Sequence, residues 1–107
     1  MGLLSFLGIG NKSRLLKEML EKGAVIIDVR TTQEFNTGHV KKSVNIPLDN
    51  IKRELKKIQG YKKPIITCCA SGMRSGAAAS ALKQAGVESV NGGGWRKVDM
   101  LVKDRIL

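Results

Sequence analysis

Two periods of apolar residues run along the chain. Leu15, Leu16, Met19 and Leu20 recur at helical spacing behind Ser13, a good N-cap, and Gly23 stands where a C-terminal cap belongs, so a helix is expected over 13–22. Residues 24–29, Ala-Val-Ile-Ile-Asp-Val, are an unbroken apolar run of the kind that a parallel sheet buries on both faces. They read as a central strand. Thr31 and Glu34 have the reciprocal spacing of a capping box, and Gly38 follows as a stop, which predicts a short helical turn. A short strand over 44–46 comes before Pro47. Asp49 is then placed to cap a helix in which Ile51, Leu55 and Ile58 share one side, Lys52, Arg53, Lys56 and Lys57 stay outside, and Gly60 ends the run.

Residues 64–69 repeat the apolar, β-branched pattern and lead through Ala70-Ser71-Gly72-Met73-Arg74 into an alanine-rich helix over 75–85, closed by Gly86. A last strand is expected over 87–90, a turn at Gly92-Gly93-Gly94, and a final amphipathic helix from Trp95 to about residue 102. Strands separated by helices imply right-handed crossovers and a small parallel α/β sheet of four strands.

Composition narrows the picture further. A chain of 107 residues with 42% hydrophobic and 26% charged positions suits one globular domain and excludes a disordered or two-domain protein. We place a single domain over 13–107 behind an apolar, flexible segment over 1–12. No apolar run has the roughly 18 to 20 residues of a membrane span, since the stretch 2–9 is broken by Ser5 and Gly8. That stretch also lacks a basic leader and a cleavage site, and Phe6 breaks the myristoylation pattern, so a cytoplasmic location without membrane attachment is expected. It reads first as a tail, then as a membrane-surface foot, then as a patch for a partner. Adjacent Cys68 and Cys69 staple no loop, and one distant histidine, His39, offers no zinc spacing, so no metal is expected. Nineteen Lys and Arg against nine Asp and Glu give +10, which concentrates anions of every kind around the chain. Lys41, Lys42, Lys62 and Lys63 extend the basic helix face and suit docking of an acidic protein partner or a thiolated RNA pathway, while the lack of interleaved aromatics argues against direct readout of nucleic acid.

The chemistry concentrates after the third strand. Ligand crevices of parallel sheets lie at the carboxyl ends of strands, and Cys69 stands at such an end, directly before a helix start whose free N–H groups favour negative charge. A thiolate there is expected to have a depressed pKa. Gly72 permits the positive φ that a tight amide-lined bowl needs, and Arg74 adds a cation at the rim. Cys68, inside the strand, reads as a small core hydrophobe.

The run Cys69-Ala-Ser-Gly-Met-Arg74-Ser75 resembles the active-site loop of single-domain rhodanese-like sulfurtransferases. Three further stretches are similar to that family's other motifs: Asp28-Val-Arg30 with Glu34-Phe35 and Gly38-His39-Val40, then Asn45-Ile-Pro47, then Gly92-Gly-Gly-Trp95. The resemblance runs from about Ser13 to the C-terminus. It departs from the family at Cys68, where an aromatic or His is frequent, and over the apolar first nine residues. It implies helices on both faces of a sheet that usually has five strands, the fifth expected around Ile9. It also implies sulfane-sulfur transfer without a cofactor. Cys69 would be the nucleophile that becomes a persulfide, and Ala70, Ser71, Gly72, Met73, Arg74 and Ser75 the loop that binds a donor such as thiosulfate. A thiol, cyanide or a protein would be the acceptor.

Related cysteine phosphatases and arsenate reductases place five residues between nucleophile and arginine, whereas four intervene here, so the smaller bowl favours a lone sulfur atom. Phosphatase or arsenate reductase chemistry is thus the weaker enzymatic alternative, and a non-catalytic binding module is the other. Arg74 has two roles open to it, binding a substrate sulfonate or pairing with a structural carboxylate such as Asp28. Asp28 and Arg30 read as supports, with an Arg30–Glu34 ion pair bracing the loop floor. His39 reads as a hydrogen-bonding loop residue and Trp95 as packing beside the crevice.

Overall fold

Parallel pairing of short apolar strands organises the chain. In the computed structural model, which describes residues 8–106, β1 (Val25–Asp28) lies between β2 (Val44–Asn45) and β3 (Ile65–Cys69), and β4 (Ser89–Gly94) pairs with the other side of β3. The order is β2-β1-β3-β4, with every pair parallel. The helices are α1 (Gly8–Glu21), α2 (Thr32–Asn36), α3 (Leu55–Gly60), α4 (Met73–Gln84) and α5 (Trp95–Ile106). None of the described helices is long and apolar enough to cross a membrane.

Alternation along the strands sends successive residues to opposite helical layers. Ile27, Ile65 and Cys69 pack with Ile51, Ile58, Ala78 and Leu82 on the side of α3 and α4. Ile26, Ile66 and Cys68 pack with Leu16, Met19, Leu20 and Val98 on the side of α1 and α5. Full burial of Ile27, Ile65 and Ile66 stabilises the fold by roughly 1.5 to 3 kcal/mol each. The α/β architecture expected from the pattern is therefore present.

Several element ends differ from expectation. Helix α1 starts at Gly8, so Ser13 lies inside the helix and is no cap, and Ile9 belongs to that helix and not to a fifth strand. An interior Ser costs only about half a kcal/mol against Ala, too little to stop a helix whose following turns are packed. The reading of 2–9 as tail, foot or patch falls largely outside the described residues. Asp49 caps no long helix: Leu48–Asn50 is a 3-10 turn entered from Pro47, and α3 begins at Leu55. Arg53 in the intervening turn donates to Asn50 Oδ1 at 2.7 Å.

The three glycines are strand, not turn. From Thr67 to Cys69 β3 advances two residues while β4 advances three, from Asn91 to Gly94, and this shift in register is a β-bulge. Gly93 supports it with a φ of +87°. A Cβ on Gly92 would lie 2.8 Å from Ile66 Cγ2, Thr67 O and Val98 Cγ2. Gly92→Ala is expected to destabilise the protein by about 1 to 3 kcal/mol, each kcal/mol lowering Tm by roughly 4 to 8 °C in a domain of this size. Gly60→Ala, where nothing lies within 4 Å of the added carbon, is the thermal-denaturation control expected to leave Tm level or raised.

Candidate active site

The loop between β3 and α4 is short, and its geometry turns on Gly72. This residue is the N-cap of α4 at φ +106° and ψ −9°, a left-handed conformation strained for a residue with a Cβ, and such a Cβ would also come within 3.3 Å of Gly93 Cα. Glycine has no side chain with which to cap the helix. The sulfur of Cys69 takes that place, accepting the Gly72 N–H at 3.0 Å and the Ser75 N–H at 3.3 Å, with Ser75 Oγ also 3.3 Å away. Burial pushes the Cys69 thiol up, but the Ser75 hydroxyl and the N–H groups of Ser75, Gly72 and Ser71 outweigh it, and the net position lies below that of an ordinary thiol.

Its neighbour is the opposite case. Strand alternation turns Cys68 to the other helical layer, where burial and the nearby Asp28 charge push its thiol far up. Cys69 is itself only 1% exposed, so its donors point inward and the sulfur forms the floor beneath the loop. Met73, by contrast, stands 84% exposed on the loop's outer side, and Ala70 and Ser71 are exposed as well. A crevice of about 120 Å³ opens beside the loop between Val29, Thr31, Pro47, Leu48, Asp49 and Arg74.

Arg74 is held by a carboxylate, and that carboxylate is Glu34 rather than Asp28. Its Nη1 and Nη2 donate to Glu34 Oε1 at 2.7 Å and Oε2 at 3.0 Å, a bidentate pair at the exposed rim. Glu34 Oε1 also accepts the Thr31 N–H at 3.0 Å, and Thr31 Oγ1 accepts the Glu34 N–H at 3.2 Å, completing the expected capping box. One side chain thus ties the first turn of α4 to the first turn of α2.

Comparison with known proteins agrees with this architecture. Residues 13–99 match the rhodanese-like domain family. The chain belongs to that family. It is 33% identical over 95 residues to the uncharacterised Bacillus subtilis protein YqhL, a match spanning 80% of this chain and 75% of that one. It is 37% identical over 76 residues to the thiosulfate sulfurtransferase GlpE of Pseudomonas savastanoi, spanning 68% and 71% of the two chains. The solved structure of a rhodanese with anions from E. coli superposes with a TM-score of 0.64 at 29% identity, covering 69% of this chain and 89% of the other.

Beneath the rim, this rhodanese-like domain carries a buried ion pair. Arg30 Nε donates to both Asp28 oxygens at 3.0 Å and Nη2 to Oδ2 at 2.7 Å, with Asp28 0% and Arg30 3% exposed. The remaining Arg30 N–H groups reach the carbonyls of Glu34 at 3.3 Å and Gly38 at 2.6 Å, and Trp95 lies against the guanidinium with its ring centroid 4.8 Å away. The expected Arg30–Glu34 ion pair is therefore replaced: Arg30 meets the Glu34 backbone, because Asp28 is closer and Arg74 occupies the Glu34 carboxylate. His39 holds the Phe35 carbonyl at 2.8 Å and stacks on the Phe35 ring at 3.7 Å, as a loop-bracing histidine should.

Two residues escaped the sequence reading. Glu34 reads from sequence as a cap residue and as a partner for Arg30, and no spacing rule links it to an arginine forty positions away. Asn91 was not singled out, although asparagine is depleted in strands and that alone marks it. Its side chain touches Ser75, Gly72 and Gly93.

These contacts set two expectations. Arg74, then the Thr31 N–H, hold the Glu34 carboxyl well below its ordinary value of 4.5, at about 2. A carboxyl lowered on folding contributes stability that is complete above about pH 4.5 and lost as pH falls through about 2. The carboxyl carbon of Glu34, followed by NMR, is expected to titrate near pH 2 and to move back towards 4.5 in Arg74→Ala. Asp28→Asn, which strips a buried guanidinium of its countercharge, is expected to cost about 3 to 5 kcal/mol by denaturant unfolding.

Proposed function

We propose that this rhodanese-like domain is a sulfurtransferase that carries sulfane sulfur on Cys69. The observation that carries the reading is the convergence of Gly72 N–H, Ser75 N–H and Ser75 Oγ on one sulfur at a strand-to-helix junction. Such a sulfur gives up its proton more readily than an ordinary thiol, and the thiolate is the nucleophile. In the first half-reaction it attacks the outer sulfur of thiosulfate, the S–S bond of the donor breaks, and sulfite leaves with the electron pair. In the second, cyanide, a thiol or a protein thiolate attacks the terminal sulfur of the Cys69 persulfide and returns the thiolate. The loop N–H groups from Ala70 to Ser75 offset the persulfide charge, and no redox partner is consumed.

Access is the step that this geometry makes demanding. With Cys69 at 1% exposure, the loop has to open before a donor reaches the sulfur, and a crevice lies at the Arg74 side of that loop. The +10 charge draws anionic donors and acidic acceptor proteins towards the domain. The same closure favours a second reading, a rhodanese-like module that docks a partner without chemistry. Intact mass after thiosulfate treatment separates the two. The sulfurtransferase reading expects a gain of one sulfur, its release as thiocyanate on adding cyanide, and a fall of both to background in Cys69→Ser. A chain that never gains sulfur from thiosulfate or from a small-molecule persulfide is the module.

A further inference from the structure

Asn91 is the one side chain of β4 that reaches into the loop's hydrogen bonds. Its Oδ1 accepts the Gly93 N–H at 2.9 Å and the Ser75 hydroxyl at 2.7 Å, while its Nδ2 donates to the Gly72 carbonyl at 2.9 Å. Only this orientation of the amide works. Turned over, it would set its oxygen against the Gly72 carbonyl and its NH2 against the Gly93 N–H. The atom facing Ser75 is therefore a pure acceptor.

Ser75 is fully buried and has one hydroxyl proton for two acceptors, Asn91 Oδ1 at 2.7 Å and Cys69 Sγ at 3.3 Å. With Cys69 as a thiol all three groups are satisfied, since S–H donates to Ser75 Oγ and O–H donates to Asn91. Once the thiol proton leaves to solvent, the sulfur has none to give and needs the same hydroxyl proton that Asn91 holds. The hydroxyl then turns to the sulfur without transferring its proton, and Asn91 Oδ1 keeps only Gly93.

We propose that Asn91 is a positioning residue that sets the ionisation of Cys69 by competing with its sulfur for the Ser75 hydroxyl. Asn91 adds a bond to the thiol form that the thiolate forfeits, so it tempers a nucleophile that the loop N–H groups alone would ionise more readily. Other charged groups bear on this sulfur. They are Arg74 at the first turn of α4 with Glu34 opposite it on α2, and the Asp28–Arg30 pair at the end of β1, while the titratable Cys68 on the same strand is held as an uncharged thiol. Strand β4 contributes none, so a change at Asn91 leaves the charged set intact. The inference concerns the ionisation of the Cys69 thiol, deepens the sulfurtransferase reading if that thiol reacts, and rests on nothing about the donor.

Ultraviolet absorbance of the thiolate, followed against pH, tests it in a four-way comparison of the unmodified chain, Asn91→Leu, Ser75→Ala and the double variant, with Cys69→Ser marking the background from Cys68. Losing the Asn91 tether to Gly72 shifts the midpoint whether or not Ser75 is present, and the comparison cancels that part. The expected result is that Asn91→Leu moves the Cys69 midpoint lower, by about half a unit to one unit, when Ser75 is present than when it is Ser75→Ala, the equivalent of one neutral hydrogen bond. Equal shifts in both backgrounds overturn the proposal and leave Asn91 a loop tether. If circular dichroism shows Asn91→Leu unfolded, Asn91→Ala goes through the same comparison, where a difference between backgrounds again supports the proposal and equal shifts again overturn it. Sulfur loading is read separately: a chain that fails to load yet shows the expected difference loses the sulfurtransferase reading and keeps this one, and the converse holds.

Discussion

A sulfur atom that is almost wholly buried is held as an anion only if donors replace the water it has lost, and at Cys69 those donors are the N–H groups that open α4. The physical constraint is reciprocal. Gly72 supplies no cap of its own, so the first turn of the helix needs an acceptor as much as the sulfur needs donors. One bonding arrangement settles both needs. Most of the fold around it serves to keep β3, the loop and α4 in the register that this arrangement requires.

Two ion pairs of different depth do part of that work. Arg74 and Glu34 meet at the rim, where solvent weakens the attraction, and their value is geometric: they tie the start of α4 to the capped start of α2. Asp28 and Arg30 meet in the interior, with the leftover guanidinium protons satisfied by the carbonyls of Glu34 and Gly38. A buried pair is a poor source of net stability but an intolerant one, since either partner alone is an uncompensated charge. From the other side of β3, the bulged glycine strand brings its backbone close to the loop, and Asn91 joins the two.

The parts of this structure legible in sequence were those set by local physics. The apolar runs around Ile27 and Ile66 announced buried parallel strands, the Thr31–Glu34 spacing announced a capping box, and Cys69 before Gly72 announced a helix-start thiol. Cys68 and Cys69 could be told apart because strand alternation sends neighbours to opposite faces. What stayed hidden depends on contacts across the fold. Arg74 had two candidate roles because nothing in the chain says which carboxylate will stand opposite, and Asp28 looked as eligible as Glu34. Gly92-Gly93-Gly94 suggested a turn because glycine signals flexibility locally, whereas Gly92 is there for want of space. The start of α1 at Gly8 was missed because two glycines and an asparagine conceal a helix that its later turns stabilise.

The central claim is that Gly72 and Ser75 donate their N–H groups to an ionised Cys69 sulfur, and NMR of those two amide protons tests it most directly. A donor N–H shifts downfield as its acceptor gains charge. As pH rises, the Gly72 and Ser75 resonances should move together, with one midpoint below that of an ordinary thiol, and the movement should vanish in Cys69→Ala. Amide signals that ignore pH, or that follow a midpoint at or above the ordinary cysteine value, would contradict the account.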